Sequence, residues 1–473
     1  MEWILYCFFA HCIFTVLGGH TTTPEELIFM RSFYHDCAGD NWNQKWDKLE
    51  LDVCEEKKLF PGVTCETFVS TNPLRPGTFW TVTGIELGMN NLNCKALNFD
   101  LPHLKTLDLS GAFLDNDIIT SISDNSPMLS KLNLGGSFAS LRKPHSMAMI
   151  LDERICKLKK LRCLYLNDNN ITRIPECFGG HSFPLLRELD LSSNEIKNVS
   201  GNFATLNVTK LFLRDNQFGN GDVAMRMNPI RTLKSLSFFF SSFPNLYELD
   251  LSTNRIFGTI PKSICSTNIE FIDLSNNHIT GFQNCSLGAK LKHLSVANNN
   301  LTSLNAFHMF GNLQTLDLSD NNLQGESLFP VASNDILFQL NLSNNGCTMN
   351  ISENIKSMRA LKSLDISRNN FYGSADKLSL LGTLTYLDIS LNKFSGSLRV
   401  LATLRDLVYF DGSSNKFSGD IPTLGGAASS HHGRHFIKTL LLSSNNFINS
   451  FPFSHYWKLS SLEVLDFSDA GDI

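Results

Sequence analysis

Nine aspartates fall at one recurring place in this chain: Asp108, Asp190, Asp250, Asp273, Asp317, Asp365, Asp388, Asp411 and Asp466. A row of carboxylates can collect a basic ligand, or it can serve the scaffold by accepting hydrogen bonds from neighbouring Ser hydroxyls and backbone N–H groups. Their LDLS-like context favours the scaffold. Residues that interrupt this background say more, because a large aromatic or a cation on a polar surface has no structural duty to explain it. Tyr165, Lys210, Phe212, Arg214, Phe271, His293, Tyr386 and Tyr409 are such residues, and they form the candidate ligand-binding set. For catalysis there is no comparable signal: the chain has no nucleophile elbow, phosphate-binding glycine loop, kinase signature or HExxH helix. His431, His432 and His435 have no nearby carboxylate or Cys to complete a metal shell, so neither a metal nor another cofactor is expected.

What positions these side chains is a repeat. The pattern LxxLxLxxNxL or a close variant returns sixteen times between Val82 and Asp469, at steps of mostly 22 to 25 residues. Clear copies begin at Leu186, Leu246, Leu313 and Leu361. In a short strand alternate side chains point to one face, so Leu189 and Leu191 go inward while Glu188, Asp190 and Ser192 go outward. One repeat cannot bury its own leucines, whereas stacked repeats share a core. The fold class that follows is an α/β repeat: a right-handed leucine-rich repeat solenoid with a parallel concave sheet. Asn stands at the turn of thirteen copies, while Ala112, Ser137 and Ala470 take its place in the other three. At that turn an amide can satisfy backbone groups that Leu or Ala cannot.

Longer steps mark insertions, between Ser137 and Asn169, Asn216 and Asn254, and Asn415 and Asn445. The second holds Phe238, Phe239 and Phe240, which a degenerate repeat is expected to bury; the third holds the Gly- and His-rich segment Gly425 to His435.

With 473 residues, 42% hydrophobic content and a net charge of −5, the chain can bury a long core and shows no basic stripe for nucleic acid. Trp3 to Leu17 is too short to span a membrane and suits a signal-peptide core, with cleavage after Gly18; no later stretch is apolar enough to span. The expected organisation is therefore a signal peptide (1–18), an N-terminal cap (19–81) and the solenoid (82–473). An oxidising destination makes sense of the cysteines. Cys37, Cys54, Cys65 and Cys94 cluster at the front, where three pairings are open and Cys54 with Cys65 is preferred for its short loop; Cys265 and Cys285 fall in successive turns and can also meet. Asn170, Asn198, Asn207, Asn284, Asn300, Asn341 and Asn350 each have Ser or Thr two places on and are glycosylation acceptors. A glycan on Asn341 would stand on the concave sheet itself.

The cap is legible as a helix: Thr23, Pro24 and Glu26 read as a capping box, with Leu27, Met30, Phe33 and Tyr34 on one face and an end near Gly39. After it come GDNW (Gly39 to Trp42), Trp46, Cys54 and GVTC (Gly62 to Cys65), and two repeats end in GTIP (Gly258 to Pro261) and SGDIP (Ser418 to Pro422). In this order the motifs resemble plant-type extracellular leucine-rich repeat proteins: receptor-like proteins, receptor-kinase ectodomains, polygalacturonase-inhibitor-like proteins and protist surface proteins. Only two repeats carry a clean GxIP, and no Trp directly precedes GVTC, so the resemblance stops at the broad family.

It implies an extracellular recognition module of a cell-surface receptor-like protein, binding a peptide, carbohydrate or protein, with a possible co-receptor. Two other readings remain: a structural or adhesive surface glycoprotein, and a secreted inhibitor of a foreign hydrolase. The chain stops at Ile473 inside a repeat, so a continuation is expected, and its character would separate the three.

Overall fold

The computed structural model describes residues 21–70, 76–94, 97–115, 117–138, 149–219, 233–284, 290–303, 310–324, 335–422, 424, 436–448, 456 and 459–472. The leader, Cys285 and the His431–His435 cluster lie outside them. The chain divides into two compact units, Met1–Phe212 and Leu213–Ile473.

The first unit opens with helix α1 (Pro24–Asp36), whose buried face is Glu26, Phe29, Met30, Phe33 and Tyr34. Leu27 is only half-buried, because the helix rolls to bring Phe29 inward. The capping box is not formed: Thr23 makes no side-chain cap bond. Glu26 accepts hydrogen bonds from Thr81 Oγ1 at 2.5 Å and Val82 N at 3.0 Å, and the Thr23 side chain also bonds to it. Burial of this carboxylate raises its pKa, against the lowering effect of those three bonds. Trp42 and Trp46 meet edge to face at 5.0 Å and pack on Phe33 and Tyr34. Each indole N–H is satisfied by a carbonyl, Trp42 by Cys37 at 2.8 Å and Trp46 by Pro61 at 3.1 Å. Disulfides Cys37–Cys94 and Cys54–Cys65 close this region.

A hairpin of β1 (Val63–Ser70) and β2 (Gly77–Glu86) turns the cap into the sheet. Parallel strands β3 (Thr106–Asp108), β4 (Lys131–Asn133), β5 (Cys163–Tyr165), β6 (Glu188–Asp190) and β7 (Lys210–Phe212) follow, with Ile85, Leu107, Leu132, Leu164, Leu189 and Leu211 in one buried row.

The second unit repeats this plan in β8 (Glu248–Asp250), β9 (Phe271–Asp273), β10 (His293–Ser295), β11 (Thr315–Asp317), β12 (Gln339–Asn341), β13 (Ser363–Asp365), β14 (Tyr386–Asp388), β15 (Tyr409–Asp411), β16 (Thr439–Leu441) and β17 (Val464–Asp466). All pair in parallel and in register. A second layer of short parallel strands runs from Tyr372–Gly373 to Gly471–Asp472, and inside it Phe371, Phe394 and Phe417 stack nearly parallel at 6.0 and 6.2 Å. The insertion after Asn216 contains a helix, Leu233–Ser242, in which Phe239 and Phe240 are buried as expected; residues 220–232 and the side chain of Phe238 are outside the described residues.

The turn asparagines join coil to coil. Asn369 Nδ2 donates to the carbonyls of Ile366 and Ser367 in its own turn and of Leu342 in the preceding one; its Oδ1 accepts from the N–H groups of Asn345 and Cys347. Asn194 does the same in the first unit. Where Asn is missing the device changes: Ser137 Oγ donates to Leu109 O at 2.7 Å. The residue before each Asn takes a left-handed backbone, as at Asp168, Asn276 and Leu391; before Ala112 and Ser137 that place is held by Gly111 and Gly136.

Candidate ligand-binding face

The aspartate row belongs to the scaffold. Asp250 Oδ1 accepts from Ser252 N at 2.8 Å and from Ser252 Oγ at 2.6 Å, and the same Asp-to-Ser turn recurs at Asp108, Asp317 and Asp466. Asn341 stands in the row as a neutral equivalent, its Oδ1 accepting from Ser343 N at 3.0 Å and Oγ at 2.8 Å. The turn therefore needs the oxygen and not the charge.

Side chains outside that background form distinct groups. On the first unit, Tyr165 lies in register with Asp190 and Phe212, and Cys163 with Glu188 and Lys210. Partial burial, then Cys163 and Glu188, raise the Tyr165 pKa, so its phenol stays protonated and donates to Glu188. On the second unit Arg214 is exposed and its charge reaches Asp250. Phe212 and Arg214 thus fall in different units.

Two aromatic groups lie on the second unit's sheet. Phe271 and His293 stack at 4.2 Å with planes 8° apart, and Tyr247 leans on Phe271 at 5.1 Å. His293 Nδ1 is 2.7 Å from Thr315 Oγ1, and partial burial together with Lys292 lowers its pKa, against the raising effect of Glu270. Lys292 is paired with Glu270 at 2.6 Å. This end of the face is apolar, rimmed by a self-neutralised ion pair.

Further along, Tyr386 and Tyr409 stack at 4.5 Å, 8° from parallel. Their pKa values are raised by burial and by Asp365, Asp388 and Asp411, Tyr409 to about 12. Asp388, between the other two carboxylates, is pushed up to about 6, first by burial and then by Asp365 and Asp411, against the lowering effect of Ser390. Ser363 and Thr439 occupy the neighbouring places in the tyrosines' row, so the outer ring faces are bordered by short side chains.

Tyr247 was not singled out by sequence because it precedes its strand, a position the alternation does not address. Nor was the disulfide Cys156–Cys177; its separation of 21 residues, close to one repeat, was the available signal. Cys265 is disulfide-bonded. Beside Cys177 lies a cavity of about 620 Å³ lined by Gly179, Gly180, His181, Thr205 and Asn207, with no carboxylate in its wall. Of the acceptor asparagines, Asn198, Asn284, Asn300 and Asn350 are exposed, and Asn170, Asn207 and Asn341 half-buried. Among the described residues no group of His, Cys, Asp and Glu is arranged for a metal, and no helix is long and apolar enough to cross a membrane.

Models of leucine-rich repeats match residues 159–204, as two copies, 245–267 and 312–332. It is a leucine-rich repeat protein. Receptor-like protein 35 of Arabidopsis thaliana is 29% identical over 211 residues, which cover 42% of this chain and 20% of that protein. This leucine-rich repeat chain therefore spans about a fifth of the length of that curated relative. In its Trp-Cys-GVTC cap and GxIP endings it also resembles the plant-type members. Solved structures agree on the fold: a Leptospira interrogans leucine-rich repeat protein (TM-score 0.59, 22% identical, 77% of this chain and 84% of that one) and a TDR receptor (0.57, 22%, 80% and 67%). The plant peptide hormone receptor RGFR1, solved with RGF2, gives 0.53 at 20% identity, over 86% and 60%.

Proposed function

We infer that this chain is the extracellular recognition part of a receptor-like protein and binds a protein or peptide ligand on its concave sheet, with no chemistry of its own. The observation that carries this reading is the contrast within the sheet. Its Asp and Ser residues are consumed by internal turns, while Tyr247, Phe271, His293, Tyr386 and Tyr409 display aromatic surface that the turns do not use. Support comes from the receptor-like relative and from a solved neighbour that holds a peptide hormone. The disulfides fit an oxidising compartment. A signal peptide over 1–18 and glycans on the exposed acceptors belong to this reading, as do the cap and solenoid boundaries.

The test places a glycan in the middle of the sheet. Gln339→Asn with Asn341→Thr creates an Asn-Leu-Thr acceptor on β12, and Asn341→Thr alone removes the native acceptor and adds none. Both are screened with the parent against a panel of extracellular proteins and peptides. Loss of a partner by the glycosylated double variant, with retention by the single one, is expected; equal binding by all three moves recognition off this face.

A further inference from the structure

We propose that the second unit's sheet holds one extended peptide by two anchors, an apolar side chain over Tyr247, Phe271 and His293 and an Arg or Lys at Tyr386 and Tyr409. This rests on the recognition reading above and specifies the chemistry of its ligand.

The two ends of the face differ in charge. At the first, Lys292 and Glu270 neutralise each other beside the stacked rings, so the place favours an uncharged side chain. At the second, Asp365, Asp388 and Asp411 stand in adjacent strands with no cation among the three, next to the tyrosine pair. The crowding of negative charge there is relieved by a cation. Stacking leaves only the outer faces of the pair open, and each is bordered by a short side chain, Ser363 or Thr439. A guanidinium is planar and extends such a stack while its N–H groups reach carboxylates.

Spacing sets the length. From His293 on β10 to Tyr386 on β14 there are four strand steps through β11, β12 and β13. At roughly 4.8 Å each this is about 19 Å, which an extended chain crosses in about six residues. Thr315, Gln339 and Ser363 are the corresponding row positions between the anchors, and they are small or flexible enough to let a backbone pass. Asn341 also lies on this path, so the inference requires it to be without glycan.

Asn341 also supplies the clean variant. Because it keeps the turn with Ser343 as a neutral residue, Asp365→Asn, Asp388→Asn and Asp411→Asn remove the charge and retain the turn acceptor. The experiment pans the whole chain against a displayed library of random twelve-residue peptides and measures the winners on parent, triple variant and Phe271→Ala. Glycopeptide mass spectrometry at Asn341 runs beside it. The expected winners carry Arg or Lys about six residues from a Leu, Phe or Tyr, the triple variant weakens them roughly tenfold or more, and Asn341 is bare. Winners without a cation, binding indifferent to the triple variant, or a glycan on Asn341 overturn the two-anchor arrangement. If such winners still lose binding when the central glycan is installed, recognition by the face stands and only its chemistry is wrong. If neither peptides nor panel proteins bind the face, both readings fall.

Discussion

The cap and the repeats hold themselves together by opposite means. In the cap, contacts join residues far apart and never recur: Glu26 to Thr81, Thr22 to Asp52, Cys37 to Cys94. In the repeats one device is used again and again, an Asn that feeds two carbonyls of its own turn and one of its predecessor. The first gives a plug that depends on every member, and the second a ladder in which damage stays near the broken rung.

The sharpest way to break this contrast is to cut both kinds of joint. Cys37→Ser with Cys94→Ser opens a span of 57 residues, and by chain entropy should cost about 4 kcal/mol, against about 3 kcal/mol for the shorter Cys54–Cys65 loop. Amide hydrogen exchange should show the loss over α1 and β1, with β14 and β15 unchanged; equal loosening everywhere would mean the plug and the ladder are one cooperative body. Asn369→Leu strands two N–H groups and up to three carbonyls, for a cost of roughly 3 kcal/mol. Its exchange signature should stay with the neighbouring coils around β12 to β14, and spread into α1 would erase the distinction.

A gain is expected where the ladder is imperfect. Leu391 holds a left-handed φ of 52° and is 43% exposed, while Asn276, Asn298 and Asn344 hold the same place in other coils. Leu391→Asn should therefore raise stability by about 1 kcal/mol, read as a higher melting temperature. The last effect concerns pH. The Asp388 carboxyl titrates at about 6 in the folded chain, above the ordinary range. The fold then binds the proton more tightly than the unfolded chain, so this group favours folding at low pH and the benefit is lost as pH rises through about 6. Asp388→Asn should flatten the melting temperature between pH 4.5 and 7; an unchanged slope would remove Asp388 as its source.

What could be read beforehand follows the same division. Leu189, Asn194 and Asp190 are legible because each depends on a neighbour one turn away at a fixed offset. The destination of Glu26 was not, because Thr81 and Val82 lie 55 and 56 residues on and local spacing offered a plausible capping box. Cys54 and Cys65 stand close enough in sequence to suggest their bond. The Phe239 helix hid inside an insertion, where the repeat pattern gives no guidance and an apolar run fits several conformations. For the face, outward aromatics could be named singly, but the pairing of Phe271 with His293 and of Tyr386 with Tyr409 needed the register of adjacent strands.

The ladder's asymmetry bears on how the chain is made. Asn254 serves the N–H of Phe218 and the carbonyl of Leu213, Asn277 serves Ile256 and Leu251, and so on upward, always reaching back. A coil leaving the ribosome therefore cannot complete its own bend until its successor has emerged. Maturation should trail translation by one winding of about two dozen residues, and a pause in elongation would leave a single unfinished bend at the growing tip.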